Sequence, residues 1–210
     1  MMKIREKFNA LSHFAGSVFA IYGLAGLMVK STTLEKKIAT LIFSISMFSM
    51  FFSSALYHSV NANDKVIKTL RKLDHVMIGV FIAGTYTPLC MISLKESKAG
   101  MIFLIVIWSL AIVSAIQSFF WIDAPRWFST GIYLLMGWVA IFGIKYVYYA
   151  LSFKGFLWLM IGGTFYTVGA IIYALKKPDF GKILGFHEIW HLFVLAGAIS
   201  HYIMIYSYVY

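Results

Sequence analysis

The chain has 210 residues, of which 61% are apolar, 18% aromatic and only 12% charged. A soluble domain of this size does not carry so much apolar material, so the composition excludes a soluble globular protein and indicates an integral membrane protein. The net charge of +10 comes from Lys and Arg clusters between the apolar runs, which favours contact with lipid headgroups over binding to nucleic acid.

Seven apolar runs follow one another along the chain, each close to the roughly 20 residues that a membrane-spanning helix requires. The connecting loops are short, so consecutive helices should be antiparallel neighbours within one domain that covers residues 1–210. We therefore expect an all-α membrane protein, a bundle of seven transmembrane helices. The expected spans are 11–29, 38–60, 73–93, 99–122, 128–149, 155–175 and 186–206.

The distribution of positive charge predicts how this bundle is inserted. If the N-terminus is cytoplasmic, eleven Lys and Arg residues lie on the cytoplasmic side and seven on the opposite side. Cytoplasmic loops usually carry the excess of Lys and Arg. The N-terminus is therefore expected inside the cell and the C-terminus outside.

Polar residues of the spans concentrate at one membrane face. In an alternating bundle, the end of span two, the start of span three and the start of span seven all lie on the same side. The polar residues at these three places are Ser54 and His58, Asp74 and His75, and His187 and His191. Ionisable residues inside spans are costly and usually face the bundle interior or a cavity, so these helices should present them to one another.

This set of residues predicts a zinc site. His187 and His191 are four residues apart and share one face of a helix. With His58 they supply three imidazoles, as in catalytic zinc sites that keep a water in the fourth position. Asp74 is then free to hold or deprotonate the water, and Ser54 to orient it or to stabilise an oxyanion.

Several polar residues of the spans also have a purely structural interpretation. Ser54 could be a small polar residue in helix packing, and Asp74 could cap its helix. His13 and His75 are equally well explained as hydrogen-bonded interfacial residues. His201 lies about 15 Å beyond the histidine pair along the last span, so we expect it in packing or a polar network instead of the metal site.

The HExxH spelling of residues 187–191 also matches the signature of zinc metalloproteases. Such proteases need a further ligand beyond the motif, but the chain contains no Asp or Glu after Glu188, and the metzincin position is Gly197. A protease is therefore excluded. Glu188 is left either near the metal ligands or facing the headgroups.

Several segments resemble those of a known family. They are SALYHS at 54–59, LDHVMIGVFIAGTYTP at 73–88, HEIWHLFVLAGAISHY at 187–202, and Glu6-x-x-Asn9-x-x-x-His13. On these residues the chain resembles the bacterial haemolysin III proteins, a branch of the progestin and adipoQ receptor family that includes the adiponectin receptors. The resemblance implies a seven-helix bundle in the bacterial cytoplasmic membrane with a cytoplasmic N-terminus. It also implies zinc on His58, His187 and His191, with Asp74 and Ser54 beside it.

The resemblance also suggests an activity. The wider superfamily includes alkaline ceramidases, and the adiponectin receptors look like lipid amide hydrolases. The implied function is zinc-dependent hydrolysis of a lipid amide or ester near the cytoplasmic face, with membrane lipids as partners, a fatty-acid-bearing substrate and a role in lipid homeostasis. The receptors carry glutamine at the position of Glu188, which argues against a general base there.

Two alternatives stay open at this point. The first is a non-catalytic sensor of membrane fluidity in which zinc is structural. The second is a haemolysin, although no span shows the polar stripe that would line a pore. The sequence does not indicate the lipid or the oligomeric state.

Overall fold

The computed structural model of the protein describes residues 4–181 and 184–210, and all secondary structure in these residues is helical. The α-helices are α1 (Lys7–Lys30), α2 (Leu34–Ser59), α3 (Asp64–Pro88), α4 (Lys98–Phe120), α5 (Arg126–Trp138), α6 (Ile144–Leu175) and α7 (Phe186–Met204). Turns of π-helix extend α3 (Leu89–Ser93) and α7 (Ile205–Val209), and a 3₁₀ turn (Val139–Gly143) joins α5 to α6. Lys3 and Lys182, two of the lysines used to predict the orientation, lie outside the described residues.

Polar side chains set the starts of three helices. Thr33, Asn63 and Ser97 accept hydrogen bonds from backbone N–H groups in the first turns of α2, α3 and α4, which have no partner within their own helix. The cap at Asn63 places the start of α3 at Asp64, well before the expected span 73–93. These additional turns are charged, so hydropathy alone does not reveal them.

Six helical stretches of the described chain are long and apolar enough to cross a membrane. Large apolar side chains also cover the outer surface, as on α4, where Met101 is 70% exposed, Ile105 61% and Ile112 60%. Such a surface would be unfavourable in water and suits lipid tails. The helices therefore confirm the multi-pass membrane protein predicted from composition.

The longest of these stretches, Arg126–Leu175, has 50 residues. A continuous helix of that length would measure about 75 Å, more than twice the ~30 Å hydrocarbon core. The stretch is interrupted at Ser152, whose φ of 59° and ψ of 164° are not helical. Trp138 Nε1 donates to Thr167 Oγ1 at 3.1 Å, although a straight helix would separate these residues by about 44 Å. The chain therefore folds back on itself between them, and the fifth and sixth expected spans fall on either side of Ser152.

The helices pack mainly against their neighbours in the chain. Helix α1 lies against α2 and also against α7, α2 against α3, α3 against α4, and α6 against α7. Large side chains that are fully buried in this packing include Phe43, Met47, Phe51, Ile107, Met136 and Leu151. Because α1 contacts both α2 and α7, it holds together the two helices that carry the histidines.

Two glycines allow α6 and α7 to approach closely. The ring of His201 on α7 lies over Gly162 on α6, and the ring of Tyr166 on α6 lies over Gly197 on α7. Small residues at helix contacts are typical of membrane proteins, in which packing replaces the hydrophobic effect as the force between helices. This contact fixes how far α7 lies from α6.

We expect Gly162→Ala to destabilise the protein by about 1–3 kcal/mol, because the new Cβ would overlap the His201 ring. Gly163→Ala is the matched control: a Cβ there meets nothing within 4 Å, and the substitution should stabilise the helix by about 0.5–1 kcal/mol. Unfolding of both purified variants in detergent measures the difference. Equal changes in the unfolding free energy for the two substitutions would contradict the close approach of α6 and α7 at Gly162.

Candidate metal centre

The structure brings three histidines from two distant parts of the chain together. His58 lies in the last turn of α2, and His187 and His191 lie in the first two turns of α7. One ring nitrogen from each falls within 4.8 Å of the other two. His58 and His191 are only 1% and 2% exposed, so the cluster lies inside the bundle.

Glu188 determines how α7 begins. Its Oε2 accepts a hydrogen bond from the Gly185 backbone N–H at 3.0 Å, which satisfies a donor at the start of the helix. Its Oε1 accepts from the side-chain amide of Asn9 on α1 at 3.1 Å. Glu188 is therefore a cap that ties α7 to α1, and it does not face the headgroups.

The segment that precedes α1 closes the end of α2. The backbone N–H of Glu6 donates to the carbonyl of His58 at 3.0 Å, and Arg5 Nη2 donates to the carbonyl of Tyr57 at 2.6 Å. The last carbonyls of a helix have no partner within it. The N-terminal segment supplies these partners and so fixes the turn that carries His58.

Glu6 also holds the His58 ring. Its Oε2 lies 2.7 Å from Nδ1 of His58. The hydrogen bond to His58 is the main cause that lowers the pKa of Glu6 to about 2, with further contributions from Asn9 and Arg5. The carboxylate is therefore ionised at neutral pH. An Nδ1–H that donates to it leaves Nε2 of His58 as the free nitrogen, and this atom is buried with no hydrogen-bond partner among the described residues.

Asp74 and Ser54 lie beside the cluster. Asp74 on α3 is 9% exposed, and the hydroxyl of Ser54, one turn before His58 on α2, faces its carboxyl. Both side chains line the same cavity as His187 and His191. Of the five residues that the sequence predicts for the site, three therefore form one cluster, and Ser54 and Asp74 line the cavity that His187 and His191 also line.

The other histidines lie outside the ligand group. His13 is 3% exposed, and its ring stacks on that of His191 with 3.8 Å between the ring centroids. His75 lines the cavity, and its carbonyl accepts from Tyr133. His201 Nε2 lies 3.2 Å from the carbonyl of Leu159, in the polar role that the sequence suggested.

A cavity of about 500 Å³ extends from the histidines between α3, α5, α6 and α7. Its walls run from His187 to Met204 on α7, about 26 Å along the helix, which is most of the thickness of a membrane. Pockets for small ligands measure about 300–1,000 Å³. Its apolar lining includes Ile78, Phe81, Ile82, Leu89, Leu134, Ile141, Phe156, Leu159, Met160 and Val194. The cavity is thus suited to a long apolar chain with a polar group near the histidines.

The three imidazoles fit a zinc ion. Tetrahedral zinc with Zn–N distances of about 2.0–2.1 Å places its nitrogen ligands about 3.4 Å apart. Small side-chain rotations bring nitrogens that already lie within 4.8 Å to that spacing. Carboxylates commonly orient histidine ligands through the second ring nitrogen, as Glu6 does for His58.

The sequence did not reveal the roles of Glu6 and Asn9, although both belong to the Glu-x-x-Asn-x-x-x-His motif. Its spacing of three and then four residues places Glu6, Asn9 and His13 along one face of α1. This spacing was the sequence feature that could have indicated a shared role for the three residues. It does not indicate which helix packs against this face of α1.

Comparison with known proteins gives consistent matches over nearly the whole chain. A family model described as Haemolysin-III related matches residues 1–202. Hemolysin-3 from Bacillus cereus is 37% identical over 204 residues, covering 96% of this chain and 90% of the relative. A Hemolysin-3 homolog from Bacillus subtilis (strain 168) is 35% identical over 212 residues, covering 99% and 96%. The human monocyte to macrophage differentiation factor is 28% identical over 207 residues, covering 96% and 83%.

Proposed function

The chain belongs to the haemolysin III family, within the wider progestin and adipoQ receptor family, and from this premise we propose that it is a zinc-dependent hydrolase of lipid amides or esters. The observation that carries the proposal is a cluster of three imidazoles, two of which, on His187 and His191, line a long and mainly apolar cavity together with the carboxyl group of Asp74. The substrate is a membrane lipid that bears a fatty acyl chain. The role is maintenance of lipid composition in the bacterial cytoplasmic membrane.

The metal ligands in this proposal are His58, His187 and His191. Zinc held by three protein ligands supplies Lewis-acid chemistry, since it acidifies water and polarises a carbonyl group. Glu6 keeps the His58 ring in the tautomer that leaves Nε2 free. The cavity wall holds the acyl chain and keeps bulk water away from the reacting carbonyl.

Asp74 is the proton acceptor. Its carboxyl group lines the cavity beside the ligand histidines, where it can take a proton from the attacking water and return it to the leaving group. The hydroxyl of Ser54 faces this carboxyl and orients it. Zinc held by three protein ligands would have a fourth position for water, and an adjacent proton acceptor then favours turnover over a purely structural zinc, the non-catalytic alternative.

The bundle has seven spans in this proposal, with the N-terminus in the cytoplasm. Arg126–Leu175 begins next to Asp123, which accepts hydrogen bonds from Lys68 and Arg71 on the site side of α3. It ends shortly before α7, which also begins on the site side. A segment that starts and ends on one membrane face crosses twice, with its turn at Ser152.

We expect His191→Ala to remove stoichiometric zinc from the protein, because two imidazoles do not hold the ion. His201→Ala is the matched control, since His201 is a buried histidine of the same helix that lies outside the ligand group. Elemental analysis of both detergent-purified variants measures the difference. Full zinc content in His191→Ala would refute the ligand assignment.

Asp74→Asn should keep zinc and lower the rate of lipid-amide or lipid-ester hydrolysis by about 10²–10⁴-fold, because the amide cannot accept the proton. Asp123→Asn, which changes an exposed aspartate of a loop, should hydrolyse the same lipids at the parental rate. The assay is fatty acid release from mixed lipid vesicles. An Asp74→Asn variant as fast as the parent would exclude Asp74 as the acceptor.

The topology is tested with a maleimide that does not cross membranes, in a Cys90→Ser background. Lys154→Cys, which lies in the turn after Ser152, should be labelled on intact cells. Asp179→Cys, which lies before α7, should be labelled only after permeabilisation. The opposite pattern would reverse the orientation, and labelling of both on intact cells would contradict seven spans.

A further inference from the structure

The side-chain amide of Asn9 connects the two helices that carry the ligand histidines. Its Nδ2 donates to Glu6 Oε2 and to Glu188 Oε1, each at 3.1 Å. Asn9 is 1% exposed, so water does not compete for these bonds. The amide must present its NH₂ group to this gap, because a carbonyl oxygen there would face two carboxylates.

Each of these carboxylates also positions a ligand. The second oxygen of Glu188 caps α7 at Gly185, which lies two residues before His187 and six before His191. The same oxygen of Glu6 that accepts from Asn9 also accepts from Nδ1 of His58. A continuous chain of hydrogen bonds therefore runs from the start of α7 through Asn9 to the His58 ring.

Helix α1 makes one more contact with the cluster. His13 lies one turn after Asn9 on the same helix face, and its ring stacks on His191 at 3.8 Å. The rings of His191 and His187 are inclined at 76° to each other, and those of His191 and His58 at 72°. The stacking on His13 opposes rotation of the His191 ring away from this arrangement.

We propose that this face of α1, formed by Glu6, Asn9 and His13, is a positioning bridge that sets the affinity of the metal site although it supplies no ligand. The inference rests on the proposed zinc site and deepens it. Asn9 fixes the distance between the helices that carry His58 and the histidine pair. Glu6 selects the tautomer and the orientation of the His58 ring.

The physical reason is preorganisation. A ligand cluster divided between two helices binds a metal weakly if the helices or the rings must first be brought into register, because that ordering subtracts from the binding free energy. Hydrogen bonds in a buried site are also stronger than in water, since few competing partners are present. Loss of an outer partner of a histidine ligand typically costs about 10–100-fold in metal affinity.

The test compares zinc affinities of purified wild type, Glu6→Ala, Glu6→Gln and Asn9→Asp by competition with a chelator. Glu6→Ala should bind zinc about 10–100-fold more weakly. The zinc affinity of Glu6→Gln should fall between those of Glu6→Ala and wild type, because glutamine keeps an acceptor for the ring and loses the charge. Asn9→Asp has the same shape and places a third carboxylate between two others, so it should also weaken binding. Glu35→Gln, in an exposed pair with Lys95, is the control and should match wild type.

A second measurement separates positioning from a general loss of stability. In metal-free protein labelled with ¹⁵N-histidine, His58 of wild type should show a protonated Nδ1, and Glu6→Ala should lose this preference while its melting temperature stays close to that of Glu6→Gln. If Glu6→Ala and Asn9→Asp both bind zinc as tightly as wild type, the proposed positioning bridge is wrong. Absence of zinc binding by wild type would overturn the proposed function, whereas the tautomer measured without metal still reports on Glu6.

Discussion

The hydrogen bond between Glu6 and His58 is the interaction on which the candidate site depends. A defined tautomer of an imidazole requires a fixed partner for one ring nitrogen, which then leaves the other nitrogen free for a metal. At 2.7 Å the carboxylate meets this requirement for His58. It also ties the segment before α1 to the end of α2, so a single contact orders a ring and a helix terminus.

This arrangement explains how the bundle accommodates the buried ionisable residues at the end that carries the histidines. Buried polar groups are costly unless each has a partner, and the cost is shared when the partners form one network. Asn9 joins two carboxylates, and those carboxylates cap a helix and hold a ring. Farther from the histidines, the cavity lining includes apolar side chains such as Leu89, Ile141 and Phe156, which suit an acyl chain.

Much of the fold was predictable because a bilayer imposes simple requirements. Each span needs about 20 apolar residues, and each backbone polar group must be paired within its own helix. Alternation of the spans then placed His58, Asp74 and the pair His187 and His191 on one face before any coordinates were known. After Arg126, the gap between the expected spans 128–149 and 155–175 contains Ser152, where the backbone is not helical.

The sequence by itself determined the class of the protein, its family and the set of side chains able to bind a metal, since composition, helical periodicity and motif spacing are local properties of the chain. Only the tertiary structure decided which other residues contact the three histidines of the cluster. Glu6, Asn9 and His13 precede His191 by nearly the whole length of the chain, and their contacts exist because α1 packs between α2 and α7. The partner of a helix face depends on the packing of all the helices together, and the spacing of residues on one helix does not contain that information.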